Sequence, residues 1–309
     1  MLRPRATIWS AAFLLVLSLS LMVPVPARAQ EPNGIIVYQS DFGLKDGAVS
    51  AMRGVAVAID PGLRLENLTH EIPAFDIWQG AYRLAETAPY WPPGTVFVSV
   101  VDPGVGTDRR SVVLRTASGH YFVSPDNGTL TLVAERLGID AVRAIDEERH
   151  RLPGSEDSHT FHGRDLFSVV AARLASGQIG LEEVGPEATR ELVAIAYQQP
   201  EFADGRIAGN IPILDVQFGN VWTNIDRATF EQLGIARGEQ VEVRILEADR
   251  PVFAGAMPYV STFGDVPQGE PLLYLNSADN VSFAINWGDF AGTHGVGSGP
   301  EWRVELAKR

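Results

Sequence analysis

From Gly34 onward the chain alternates short apolar runs with longer stretches of helical spacing. "GIIVYQS" (34–40) is an apolar strand run that ends at Asp41, and "DGAVSAMRGVAVAID" (46–60) follows with apolar residues returning every third or fourth position. "FDIWQGAYRLAETAPYW" (75–91) is a second amphipathic helix, closed by Pro92 and Pro93. "GTVFVSVV" (94–101) is too apolar for a half-exposed strand and predicts a position inside a mixed or parallel sheet. "SVVLRT" (111–116) and "HYFVSP" (120–125) read as further strands, with helices "GTLTLVAERLG" (128–138) and "RDLFSVVAARLASG" (164–177) after them. This half predicts an α/β domain, a layered sheet with flanking helices.

After about Ala196 the texture changes. Short strand runs separated by turns dominate: "IPILDVQ", "GNVWTNI", "EQVEVRIL", "PLLYLNS" and "VSFAIN", with "RATFEQLG" the one helical stretch. Such spacing predicts a smaller, all-β, barrel-like C-terminal domain. The predicted division is 30–198 for the α/β domain and 199–309 for the β domain.

The first 29 residues belong to neither. Basic residues, a long apolar run, helix-breaking prolines and Ala27-Arg28-Ala29 make a secretory signal peptide, with cleavage expected after Ala29. The run Thr7–Val23 approaches membrane-spanning length. The Pro24-Val25-Pro26 break and the small-x-small site favour cleavage, leaving no stable span and an exported, periplasmic or secreted protein. Because the leader carries three arginines and no acid, the formal charge of the mature chain falls from −13 to −16. So acidic a protein is poorly suited to nucleic acid. With no cysteine it has neither disulfides nor thiolate chemistry, and its stability must come from core burial.

Five clusters carry candidate chemistry. "SDFGLKDG" (40–47) puts Asp41 at a strand's C-terminal end and Asp46 at the start of a helix, the edge where open α/β sheets bind ligands; a helix cap is the plainer reading of Asp46. "VVDPGVGTDRRS" (100–111) reads as a hairpin turn over Pro103, Gly104 and Gly106 that brings Asp102 towards Arg109. "HTFHGRDLF" (159–167) offers His159, His162 and Asp165, without metal-ligand spacing, so no metal is expected and His159 reads as a surface residue. "LDVQFGNVWTN" (214–224) alternates aromatic and polar groups, so a planar base could stack on Phe218 while Asn220 bonds its edge, beside Asp215. "LYLNSADN" (273–280) ends a strand in small polar side chains suited to a carboxylate or amide.

Taken in order, "SDFGLKDG", "FDIWQGA", "VFVSVVDPGVGTDRRSV", "SPDNGTLT", "TFHGRDLF", "FGNVWTNI" and "YLNS" resemble the S-adenosyl-L-methionine (SAM) hydroxide adenosyltransferases, relatives of the fluorinase and chlorinase, across nearly all of residues 35–285. The resemblance implies a homotrimer with each site between one subunit's N-terminal domain and its neighbour's C-terminal domain. It implies attack of water or hydroxide at ribose C5′ of SAM, giving adenosine and L-methionine, with no cofactor and no metal. In the halogenases a tyrosine stands where this chain has Asp102; Asp102, Arg109 and His162 match the catalytic set of the hydrolytic branch. By the same resemblance Asp41 meets the ribose diol, Phe75 lines the sugar, and Phe218, Asn220 and Phe263 hold adenine. Asp46 and Asp215 meet the methionine ammonium and Ser277 its carboxylate, although Ala278 follows Ser277 where the fluorinase has an arginine.

A sulfonium leaves as a neutral thioether, so the chemistry needs a positioned water rather than a general acid. Arg109 and a protonated His162 are expected to favour hydroxide, with Asp102 orienting Arg109 or taking the proton. Two other readings stand beside this one. An exported nucleoside-binding protein without turnover fits the leader, since SAM is made in the cytoplasm. A metal-dependent hydrolase would use Asp41, Asp102 and His162.

Overall fold

The computed structural model describes residues 31–309. The predicted leader and its cleavage site after Ala29 lie outside them.

The first half builds β1 (Ile35–Ser40), α1 (Ala48–Ile59), β2 (Arg64–Thr69), α2 (Ile77–Thr87), β3 (Val96–Val100), β4 (Ser111–Thr116), β5 (Tyr121–Pro125), α3 (Thr131–Leu137), β6 (Ile139–Ala144), α4 (Glu147–His150) and α5 (Ser168–Ala175). The six strands form one mixed sheet in the order β2-β1-β3-β5-β4-β6. β1 pairs in parallel with β2 and β3, β3 in parallel with β5, and β4 runs antiparallel to both its neighbours.

The central strands are apolar on both faces because both faces are covered. Alternate residues go to opposite layers: Ile36, Tyr38, Val96, Val98 and Val123 pack with α1 and α5, while Val37, Phe97 and Phe122 pack against Leu84 and Ala85 of α2 and Val133 of α3. That period of two is why runs such as "VFVSV" show no alternation of polar and apolar positions.

The sheet order corrects one expectation. Residues 100–111 are not a hairpin, because β5 lies between β3 and β4 and those two strands do not pair. The stretch is instead a loop across the C-terminal end of the sheet, tightened by bonds from Val105 N to Asp102 O (3.2 Å) and from Thr107 Oγ1 to Gly104 O (2.6 Å).

The second half contains β7 (Glu201–Ala203), β8 (Arg206–Asn210), β9 (Ile213–Asp215), β10 (Asn220–Asp226), α6 (Arg227–Glu231), β11 (Gln240–Glu247), β12 (Arg250–Pro258), β13 (Pro271–Leu275), β14 (Asn280–Ile285), α7 (Phe290–His294) and β15 (Trp302–Lys308). They form two antiparallel sheets, β13-β14-β10-β9 and β12-β11-β15-β8-β7, that enclose one core including Val221, Val243, Phe283 and Val304. A bond from Val260 N to Leu273 O (2.9 Å) ties the sheets at one edge. The halves meet where Trp78 of α2 donates its indole N–H to Pro212 O (2.9 Å) and packs edge-on against Tyr197.

Candidate active site

The C-terminal ends of β1 and β3 open onto a cavity of about 310 Å³ lined by Asp41, Phe42, Phe75, Asp102, Phe161 and His162, among others. Its wall depends on one close approach and one widened helical turn. Gly106 has φ +77° and lies so near the His159 carbonyl that a side chain there would clash, which lets the 102–109 loop run against the segment bearing His162. His162 itself sits at the start of a turn of π-helix (Gly163–Phe167) ahead of α5; such widened turns concentrate at functional sites.

Asp102, Arg109 and His162 are brought together. Arg109 donates from Nε to both Asp102 oxygens (3.1 Å each) and from Nη2 to Oδ2 (2.6 Å). The same Nη2 lies 2.9 Å from His162 Nδ1, and the guanidinium sits over the Phe167 ring. Arg109 is buried behind this pair rather than lining the cavity. Oδ2 of Asp102 takes two of the three donated bonds and Oδ1 takes one, so Oδ1 keeps an acceptor position to spare in a residue that lines the cavity.

The protonated His162 expected from sequence is opposed by its surroundings. Burial lowers its pKa below the ordinary imidazole value, and the Arg109 guanidinium adds to this. Its other nitrogen, Nε2, faces a second guanidinium, Arg151 Nη2, at 3.2 Å. A guanidinium thus faces each ring nitrogen, and the one lone pair of the neutral ring can accept from either of them, which also argues against His162 as a metal ligand. Asp165, the other candidate beside it, is buried and paired with Arg164 (2.6 Å). Among the described residues no group of three or more His, Asp or Glu side chains is placed to hold a metal ion.

Asp41 accepts the backbone N–H of Phe75 at Oδ2 (2.9 Å). Phe75 has φ +68°, costly for a side chain with a Cβ, and its ring is exposed at the cavity rim; the Asp41 bond helps to hold that conformation. Asp46 is exposed, accepts Ala48 N–H (2.9 Å) just ahead of α1, and lines neither cavity. His159 is exposed, as the sequence suggested.

A second cavity, about 790 Å³, lies in the β domain and is lined by Asp215, Phe218, Asn220, Phe263, Ser277 and Trp287, among others. Its shape comes from the β9–β10 turn. Gly219 has φ +68° and a side chain there would collide with Asp289, so only glycine allows the turn to pass. Asn220 is buried and donates to Asp215 Oδ2 (3.2 Å), whereas the Phe218 ring stands 66% exposed. Burial raises the pKa of Tyr274 to about 12, with the Asp215 charge adding to the rise, so a neutral phenol backs the pocket. The two cavities have no lining residue in common.

Sequence reasoning missed three polar residues behind the first cavity and one aromatic in the second. Ser111, Glu147 and Arg151 form hydrogen bonds around Arg109 and His162. Trp287 is 87% exposed with φ +60°; a large exposed aromatic held in a costly backbone conformation marks a binding surface in the structure, but "INWGDF" gives no such signal.

An α/β domain with a carboxylate–guanidinium–imidazole set at its strand ends, joined to a β domain with an aromatic-polar pocket, defines a two-domain nucleoside-type ligand architecture. The profile of the SAM hydroxide adenosyltransferase N-terminal domain matches residues 36–185, and that of the C-terminal domain matches residues 209–303. The chain belongs to the SAM hydroxide adenosyltransferase family. It is 39% identical to the (R)-S-adenosyl-L-methionine hydrolase of Salinispora tropica, over 88% of this chain and 98% of that protein. It is 32% identical to a fluorinase of an Actinoplanes species, over 82% of this chain and 91% of the other. A crystal structure of an uncharacterized conserved protein from Thermotoga maritima superposes with a TM-score of 0.78 at 34% identity, covering 88% of this chain and all of that one.

Proposed function

We propose that this chain hydrolyses SAM to adenosine and L-methionine. The observation that carries the reading is the Asp102–Arg109–His162 set, whose Asp102 and His162 line the first cavity while Asp102 keeps an acceptor position to spare. A relative named as a SAM hydrolase at 39% identity over almost its whole length supports the same reading.

In the proposed reaction a water donates a hydrogen bond to Asp102 Oδ1 and attacks ribose C5′ in line with the C5′–S bond. The new C–O bond forms as the C–S pair moves onto sulfur, so the sulfonium leaves as neutral methionine thioether. The water's proton passes through Asp102 to solvent. Arg109, gripping Asp102 with two nitrogens, fixes the carboxylate's orientation. His162, neutral, holds Arg109 from the far side. A guanidinium faces each nitrogen of His162, which argues against the alternative metal-dependent reading. No cofactor takes part; SAM is the substrate.

The remaining contacts complete the proposal. Asp41 and Phe75 serve the ribose, Phe218, Asn220 and Phe263 the adenine, Asp215 the ammonium and Ser277 the carboxylate. Asp46 keeps its expected place at the ammonium, although in a single subunit it lies outside both cavities. The ribose residues and the adenine residues line separate cavities of one chain, which supports a homotrimer in which each site joins the first cavity of one subunit to the second cavity of its neighbour. Exposed Phe75, Val216, Phe218 and Trp287, all lining one or other cavity, suit such an interface. The leader supports export to the periplasm or beyond. It also favours one alternative, an exported nucleoside-binding protein without turnover.

Mature protein from Gln30, incubated with SAM with and without chloride and analysed by chromatography, tests these readings together. Adenosine and methionine in both conditions support the hydrolase. A chlorinated nucleoside only with chloride would make it a halogenase, and tight adenosine binding without product would make it a binder.

A further inference from the structure

Beyond the three residues of the proposed chemistry, one group of buried and half-buried polar side chains closes on itself. Arg109 donates from Nη1 to Ser111 Oγ (2.6 Å), and Ser111 Oγ donates to Glu147 Oε1 (2.8 Å). Glu147 Oε2 accepts from Arg151 Nη2 (3.3 Å), which lies 3.2 Å from His162 Nε2. His162 Nδ1 returns to Arg109, completing a ring that Asp102 joins from the cavity side. The ring is built from three separate pieces of chain. Glu147 and Arg151 are an i,i+4 pair on and just beyond α4, and a bond from Leu152 N to Asp165 O (2.7 Å) fastens that end of α4 to the π-helical turn after His162.

The charges in the ring constrain the imidazole. The charged groups facing it are Arg109 and Arg151, with Glu147 and Asp102 as the counter-charges; the exposed His159 ring stands edge-on at 6.4 Å. Two carboxylates balance two guanidiniums, so the set is neutral only while His162 is neutral. A neutral imidazole has one lone pair, and a protonated one has none and would point N–H groups at guanidinium donors on both sides.

We propose that Glu147 and Arg151 are positioning residues for the reaction: Glu147 holds Arg151 against the side of His162 remote from the cavity, and the Arg151 guanidinium there keeps the imidazole in place and opposes its protonation, so that Arg109 stays turned onto Asp102. This rests on the hydrolase reading for its kinetic part only. An imidazolium facing Arg109 would push the guanidinium away and release Asp102, so turnover should fail wherever His162 takes a proton.

The test compares Arg151→Met, Arg151→Lys and Glu147→Gln with wild type in kcat and KM against pH, and follows His162 by NMR of ¹⁵N-histidine-labelled protein, assigned with His162→Gln. In wild type the His162 resonance titrates below the ordinary imidazole value, and any acid limb of kcat lies there with it. Arg151→Met removes one cation, so the His162 resonance and the acid limb of kcat both move up towards the ordinary value with KM kept, although burial and Arg109 still oppose the proton. Arg151→Lys restores the charge and the wild-type profile. Glu147→Gln leaves both cations, so His162 still titrates below the ordinary value while kcat drops about tenfold or more at every pH as Ser111 and Arg151 lose their anchor. A purely structural role would lower melting temperature without moving the pH profile or the resonance. Unchanged His162 titration in Arg151→Met would overturn the proposal. If that variant does not fold, wild-type kcat in Glu147→Gln would overturn it. The NMR arm needs no turnover, so an inactive wild type would refute the hydrolase reading while leaving the clamp decided on its own.

Discussion

Arg109 grips Asp102 with two nitrogens across a loop whose flanking strands are not neighbours in the sheet. β5 fills the gap between them, so the loop must arch over that strand's end, and this puts the pair on the rim where β1 and β3 also deliver Asp41 and Val100. The pair is buried on both sides, unlike the many exposed arginine pairs of the β domain, and exposed pairs contribute little.

Replacing Asp102 by Asn should therefore separate chemistry from binding. The amide still fills the space but cannot take the proton or answer the Arg109 charge. We expect kcat to fall about 100- to 10,000-fold while adenosine affinity, carried by the ribose residues Asp41 and Phe75 and by the second cavity, changes little. Steady-state kinetics with adenosine calorimetry checks this, and a near-normal kcat would remove Asp102 from the mechanism.

Phe218 offers the converse case. Its ring is mostly exposed and packs in no core, so Phe218→Ala should leave the melting temperature unchanged. Loss of a stacked base should weaken adenosine binding about 10- to 100-fold, from roughly 1–3 kcal/mol of stacking. Equal affinity in the variant would displace adenine from this pocket.

Stability should decline on the acid side of neutrality. Burial is the main cause that lowers the pKa of His70, His150 and His162, with Arg53 and Arg109 adding to the effect at the first and third. In the unfolded chain these imidazoles protonate at about 6.5, so below that pH the unfolded state binds more protons than the folded one. Stability is then full above about pH 6.5 and is lost as pH falls through it. Glu86 works the other way, since burial raises its carboxyl, but one group opposes three. Calorimetry at several pH values between about 8 and 5 should show a falling melting temperature; a rise towards pH 5 would contradict the burial of these rings.

How much of this was legible in the sequence follows from which signals are local. β1, β3, β4 and β5 were readable because strands covered on both faces are apolar without interruption. β2 ("RLENLT") and β6 ("IDAVRA") were not, because each is an edge strand with a mostly half-exposed pattern. The strand order, which turned a supposed hairpin into an arching loop, is a long-range property that no window contains. The site was legible through resemblance rather than spacing, since His162 lies 53 residues from Arg109. Glu147 and Arg151 sit in the charge run "DEERHR", which has the look of a solvated helix end; only the Leu152–Asp165 bond carries it to His162. The neutral state of His162 likewise needed three dimensions, because the arginine at its far nitrogen comes from that run.

The central claim is that water, positioned by Asp102, attacks C5′ of SAM. Turnover in H₂¹⁸O followed by mass spectrometry of both products tests it most directly. The account predicts one ¹⁸O atom in the 5′-hydroxyl of adenosine and none in methionine, with labelled adenosine forming far more slowly in Asp102→Asn than in wild type. Label in methionine, or no adenosine from well-folded protein, would contradict it.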